Sequence, residues 1–167
     1  MTITLNLEVA QGVRIQDIKE ALVGVEYSDL SETESELSVV LPNTNASMSV
    51  KTNLEDSTVL TEDLEGADWS VGLRAYFDVD ATLPNPFDDV KRIVSNLSKQ
   101  TSCEFALSFQ YESLYAQKGP NGLEWSAKNA LYSVEYAISI VGKPIVVTSF
   151  VLGTGFTVLA LSDFNIS

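Results

Sequence analysis

The chain contains no histidine. That removes the commonest general base and the commonest metal ligand, and with them every Ser–His or Cys–His nucleophile. Cysteine occurs once, so no intrachain disulfide can form, and a lone thiol suits a reducing compartment. Basic residues are scarce: 10 lysines and arginines face 23 acids, for a net charge of −13. Nucleic acid and anionic membranes repel such a chain and are not expected as direct partners. The N-terminal MTITLNLEVA has no basic segment before an apolar run, which predicts no secretory signal and a cytoplasmic protein. A long uninterrupted apolar run is missing too. The most apolar region, residues 138 to 161, is broken by Gly142, Pro144, Gly153 and Gly155 and carries Lys143, so it reads as buried strands rather than a membrane span. The glycines form no phosphate loop, because Gly153-Thr154-Gly155 lacks the Gly-Lys-Ser/Thr continuation and a tight turn explains it.

What is present is patterned for a core. With 167 residues and 45% hydrophobic content, the simplest organisation is a single domain over 1–167. The clearest pattern runs from Trp69 to Tyr111. Trp69, Val71, Leu73, Ala75, Phe77 and Val79 alternate as one buried strand face. Asn85-Pro86 then offers a helix start, with Asn as N-cap and Pro at the first helical position. Asp88 and Asp89 fall in the first turn, which the helix dipole favours. Val90, Ile93, Val94 and Leu97 form an apolar stripe at helical spacing, and Cys103, Phe105, Leu107, Phe109 and Tyr111 alternate again. Strand, helix and strand with short joints predict a βαβ unit or a close relative.

The flanking segments repeat these signals. Ile3, Leu5, Leu7 and Val9 alternate; Ile15, Ile18, Leu22 and Val25 sit at helical spacing, with Gly24 as a stop. Residues 27 to 35 are polar and acidic and read as loop. Residues 37–41 and 47–52 read as short strands around the turn Pro42-Asn43-Thr44-Asn45. Residues 54 to 68 read as loop or a short helix. Lys118-Gly119-Pro120-Asn121-Gly122 joins two hairpin arms, and residues 131–141, 145–152 and 156–161 read as an antiparallel meander. The sum is an α+β domain: a mostly antiparallel sheet of about eight strands with two helices packed on one face. Asp17-Ile18-Lys19 and Asp89-Val90-Lys91, each inside a helix after an alternating strand, are a faint internal echo that chance also explains.

The charge is not spread evenly. Residues 20 to 73 hold twelve acids against one base, Lys51, a net −11. The candidate partner-binding residues are the acids of that third: Glu26, Asp29, Glu32, Glu34 and Glu36, then Glu55, Asp56, Glu62, Asp63, Glu65 and Asp68. Acids crowded on loops build a field that speeds encounter with a cationic partner, although a solvated acidic surface that only confers solubility has the same composition. Tyr115 and Trp125 flank the polar turn, and Tyr76 shares a strand face with Arg74 and Asp78. These three are the aromatics closest to a surface role, as interface anchors, although partial burial under a loop explains each of them more simply.

Candidate chemistry is thin. Asp78 and Asp80 share a strand face, and with Asp88 and Asp89 they have the ligand types of a magnesium or calcium site, but no calcium-loop spacing is present. Helix capping already accounts for Asp88 and Asp89. Cys103 sits on an alternating face and reads as a small core residue. No catalytic residue, metal or cofactor is expected, and no enzymatic activity.

Size, charge and the unit NLSKQTSCEFALSFQYESLYA, a helix end running into the strand FALSFQY, resemble the immunity proteins of bacterial contact-dependent or polymorphic toxin systems. The resemblance implies a tight inhibitor of one cognate toxin domain, usually a basic nuclease acting in the cytoplasm. Three alternatives stay open at this level. One is an acidic nucleic-acid mimic that blocks a DNA-binding protein, one a non-catalytic phage or assembly protein, and one a small-molecule-binding or enzymatic domain using Asp78 and Asp80.

Overall fold

A computed structural model of the chain describes residues 1–126. The expected meander over 131–161 lies outside the described residues, as does the last part of the expected single domain over 1–167. Met1–Glu124 is one compact unit of α+β class. Its strands are β1 (Thr2–Ala10), β2 (Ser28–Glu32), β3 (Glu36–Leu41), β4 (Ala46–Lys51), β5 (Val71–Asp80), β6 (Phe105–Phe109), β7 (Ser113–Gly119) and β8 (Gly122–Trp125). The helices are α1 (Ile15–Ala21) and α2 (Asp88–Gln100). The strand order is β2-β3-β4-β5-β1-β6-β7-β8, and the registered pairs are antiparallel.

Alternation explains the architecture. On β1, Leu5, Leu7 and Val9 stand opposite Phe77, Ala75 and Leu73 of β5, and all six are buried. Leu37, Val39, Met48, Val50, Phe105 and Leu107 carry the same apolar face outward on both sides. Ile15, Ile18 and Ala21 of α1 and Val90, Ile93, Val94 and Leu97 of α2 complete this core. The helices pack on each other, and α2 finishes α1: the Asn96 amide donates to the Ala21 and Val23 carbonyls, each at 2.9 Å, supplying partners that a helix C-terminus lacks. Lys118 of β7 does the same for α2, donating to the Ser98 and Thr101 carbonyls.

β5, α2 and β6 form the expected relative of a βαβ unit, with a difference. β5 and β6 are each antiparallel to β1 and flank it, so they run parallel to one another without touching. Both halves follow one plan, a strand, a helix and three strands. The halves are not equivalent in the sheet, since β4 lies beside β5 whereas β6 lies beside β1.

Four local expectations need correction. First, residues 28–32 form an edge strand rather than loop; all five are exposed, so no buried face imposes alternation on them. Second, α2 begins at Asp88, not at Pro86. Asn85 has φ +51°, a left-handed turn conformation that asparagine tolerates, and its carbonyl accepts from the Asp88 amide at 3.3 Å. Third, β5 starts at Val71, leaving Trp69 outside the strand and half-buried. Fourth, β6 starts at Phe105, so Cys103 is a half-buried turn residue, with its Sγ 3.5 Å from the Gln11 carbonyl, rather than a core residue. Close backbone approach is visible at Gly72, where a Cβ would meet the Gln11 Cα at 2.7 Å beside the register shift of β1.

Asp89, in the first turn of α2, is buried and accepts from the Thr44 hydroxyl at 2.8 Å. Thr44→Val leaves that carboxylate short of a donor and is expected to cost about 2 kcal/mol, the scale of a hydrogen bond to a charged group, read as a lower urea midpoint.

Candidate functional site

The second face of the sheet carries the chemistry. Because strand side chains alternate, the residues between the core positions all point to it. The registers align them in rows across the strands. One row runs Glu36, Lys51, Arg74, Glu8 and Ala106; the next runs Ser38, Ser49, Tyr76, Asn6 and Ser108; a third runs Val40, Ser47, Asp78 and Thr4.

Half of this face is covered by the segment between β4 and β5, residues 52–70, which lies over it as a strap. Glu8, at 0% exposure, is the anchor. Its carboxylate accepts from the Leu60 amide at 3.0 Å, the Thr61 amide at 3.0 Å, the Thr61 hydroxyl at 2.9 Å and Arg74 Nε at 3.2 Å. Arg74 uses its other nitrogens on the strap as well, donating to the Asp56 carbonyl at 2.8 Å and the Thr58 carbonyl at 2.6 Å. The Thr61 hydroxyl and Ser108 hydroxyl are 3.1 Å apart. Beyond them the strap makes one 3-10 turn, Glu62–Leu64, where the Glu62 amide donates to the Tyr111 carbonyl at 2.8 Å and Asp63 accepts from the Leu114 amide at 3.0 Å. Both Glu8 oxygens are occupied by donors, so the buried pair acts as a fastener. This is the feature that sequence reading missed. Its only trace was a charged residue in the middle of each central strand, and their registry across the sheet is not visible in the sequence.

The acids of residues 20–73 named above are all exposed, but they do not form one surface. Glu26, Asp29, Glu32, Glu34 and Glu36 gather at the β2–β3 edge. Glu62, Asp63 and Glu65 sit beside β7, with Glu55, Asp56 and Asp68 elsewhere on or beside the strap. β2 and β7 are six strand spacings apart in the sheet, about 29 Å. Several acids already have partners. Lys19 Nζ lies 2.6 Å from Glu32, and Lys51 lies 3.6 Å from Glu36. Asp56 accepts from the Thr58 amide and hydroxyl, each at 2.8 Å, and these bonds hold its carboxyl below the usual range.

The aromatic candidates separate. Tyr115 is 6% exposed and stacks on Phe109 with ring centroids 6.3 Å apart, so it belongs to the interior, and burial raises its phenol pKa. Trp125 ends β8 and is half-buried. Tyr76 is half-exposed on the polar face, its hydroxyl accepting from that of Tyr111 at 3.4 Å.

The four aspartates considered for a cation do not converge. Asp78 accepts from the Thr4 hydroxyl at 2.6 Å, Asp80 from the Thr82 hydroxyl at 2.6 Å, Asp89 from Thr44, and Asp88 points to solvent at the start of α2. Among the described residues, no group of three or more His, Cys, Asp or Glu is placed to hold a metal, and no helix is long and apolar enough to cross a membrane. Among the described residues, the exposed part of this face carries the hydroxyls of Ser38, Ser47 and Ser49, the carboxylates of Asp78 and Glu36, and the edge of Tyr76. No family model, no curated protein and no solved structure matches the chain.

Proposed function

We propose that the protein is an immunity-type inhibitor, a binder that neutralises one cognate basic toxin domain, with a nuclease acting in the cytoplasm as the best-fitting target and no turnover of its own. One observation carries the reading. Every acid named in the −11 third of the chain is exposed, on an ordered frame of strands and a fastened strap rather than on loose chain. Fixed, desolvation-free charges of one sign steer a cationic domain to the surface and raise its association rate. A nucleic-acid mimic needs phosphate-like charges in a continuous array. The serine-rich face between the acids of the β2–β3 edge and those beside β7 interrupts such an array, which favours the toxin-binding reading.

The test uses the partner recovered by pull-down from the native host. Its association rate is expected to fall steeply as salt rises. Glu34→Gln with Glu62→Gln and Glu65→Gln is expected to slow association at low salt by about tenfold without moving the melting point. Among the described residues these three side chains make no hydrogen bond or ion pair, unlike Glu32 and Asp63. Co-expression is expected to rescue cells from the toxin domain. A salt-independent rate, with the triple variant as fast as the parent, would reduce the charge to a solubility feature and remove the proposal.

A further inference from the structure

We infer that the uncovered half of the polar sheet face is a docking surface for an extended cationic segment of a protein partner. The inference rests on the acidic-binder reading and gives the contact an address apart from the strap acids.

The strap covers the polar face over Arg74, Glu8 and Ser108, and no other described segment lies over β3 and β4. Ser38, Val40, Ser47 and Ser49 are exposed there, and their rows lead to Tyr76 and Asp78 on β5. Serines keep the surface flat, so a partner backbone comes within reach of their hydroxyls, and they cost little side-chain entropy to order. Adaptable hydroxyls beside a tyrosine are the composition of surfaces that bind proteins by their shape and polarity. Val40, 38% exposed, adds an apolar contact in the same patch.

Charge chooses the occupant. Asp78 is exposed within this face, and among the described residues the Thr4 hydroxyl alone engages it, at one of its two oxygens. The other is open to a guanidinium or ammonium. Glu36 closes the opposite corner, lining a depression of about 100 Å³ with Ser31, Ser38, Ser49 and Lys51. Its ion pair with Lys51, at 3.6 Å, is solvent-exposed, so an incoming guanidinium competes with the lysine there and Asp78 is the stronger anchor. Glu36 lies two strands across from Asp78 and its row lies four residues away along β5, a diagonal of about 17 Å. About five residues of extended chain span that distance. A segment with basic residues at its two ends and small polar residues between them therefore matches the carboxylates and the serine row together.

The probe is a short peptide alternating arginine and serine, titrated into isotope-labelled protein at low salt, with a glutamine-for-arginine analogue as control. Amide shifts are expected on residues 38–40, 47–49 and 76–78 with the arginine peptide and not with the analogue. Ser47→Arg with Ser49→Arg is expected to weaken binding by at least about tenfold, while Glu62→Gln with Glu65→Gln changes it by less than about threefold. Should the double arginine variant fail to fold, Asp78→Asn alone must weaken binding several-fold for the inference to stand. Shifts confined to residues 62–68 or to the β2 edge overturn the docking face and leave the acidic-binder reading intact. No binding at all, or equal binding of the analogue, also overturns it, and the salt dependence of association with the host partner then decides the broader reading. The same shifts on concentrating the protein without peptide would mean that a second copy occupies the face, which overturns a cationic occupant.

Discussion

Glu8→Ala is expected to cost about 3–5 kcal/mol, the penalty for breaking a buried ion pair from one side. The carboxylate is fully buried, and the Arg74 side chain is only 7% exposed. Alanine leaves the guanidinium without its counter-charge and strips the Leu60 and Thr61 amides of their acceptor. The loss falls on the strap before it reaches the core, because the apolar face of β1 is untouched. Hydrogen exchange at residues 56–63 is expected to accelerate more than at Leu5, Leu7 or Phe77, and the urea midpoint to fall. Glu8→Leu combined with Arg74→Met removes both charges and keeps the volume, so it is expected to recover much of the loss. The strap carbonyls left by Arg74 prevent full recovery unless water reaches them. A Glu8→Ala protein as stable as the parent, with exchange unchanged in the strap, would show that the fastener carries no weight.

Val94→Asp is expected to be comparably severe, at least about 3 kcal/mol, because it places an unpaired carboxylate in an apolar layer. Val94 is 0% exposed on the face of α2 that meets the sheet, with Val90, Ile93 and Leu97 equally buried. Ile93→Val in the same stripe is the calibrating change. It removes one methylene and is expected to cost about 1 kcal/mol. The pair separates charge burial from cavity formation, and thermal melts read both. If Val94→Asp melted with Ile93→Val, the helix would be packed through a different face.

The two predictions touch the two faces of one sheet, and those faces were not equally legible. On the apolar face, period two and period 3.6 were written into Leu5-Leu7-Val9, Leu73-Ala75-Phe77 and Val90-Ile93-Val94-Leu97, because burial selects side chains one by one. β2 carried no such signal, being exposed along its whole length. The start of α2 was misplaced because Asn85 suits a left-handed turn as well as an N-cap. Tyr115 looked like a surface residue from its place beside a polar turn, yet β7 turns it inward to stack on Phe109.

By itself, the sequence determined the α+β class, the two helices with their buried stripes, and the concentration of negative charge in residues 20–73. Those properties depend on local periodicity and on counting. The tertiary structure decided which strands are neighbours, and with that everything on the polar face. Glu8 meets Arg74 across 66 residues, Thr44 meets Asp89 across 45, and the acids separate into a group at the β2–β3 edge, a group beside β7 and others on the strap between them. A polar side chain on a strand reads as solvent-facing until some distant segment covers it. Long-range pairing settles which of them are buried, fastened or left open, and a one-dimensional pattern holds no record of that pairing.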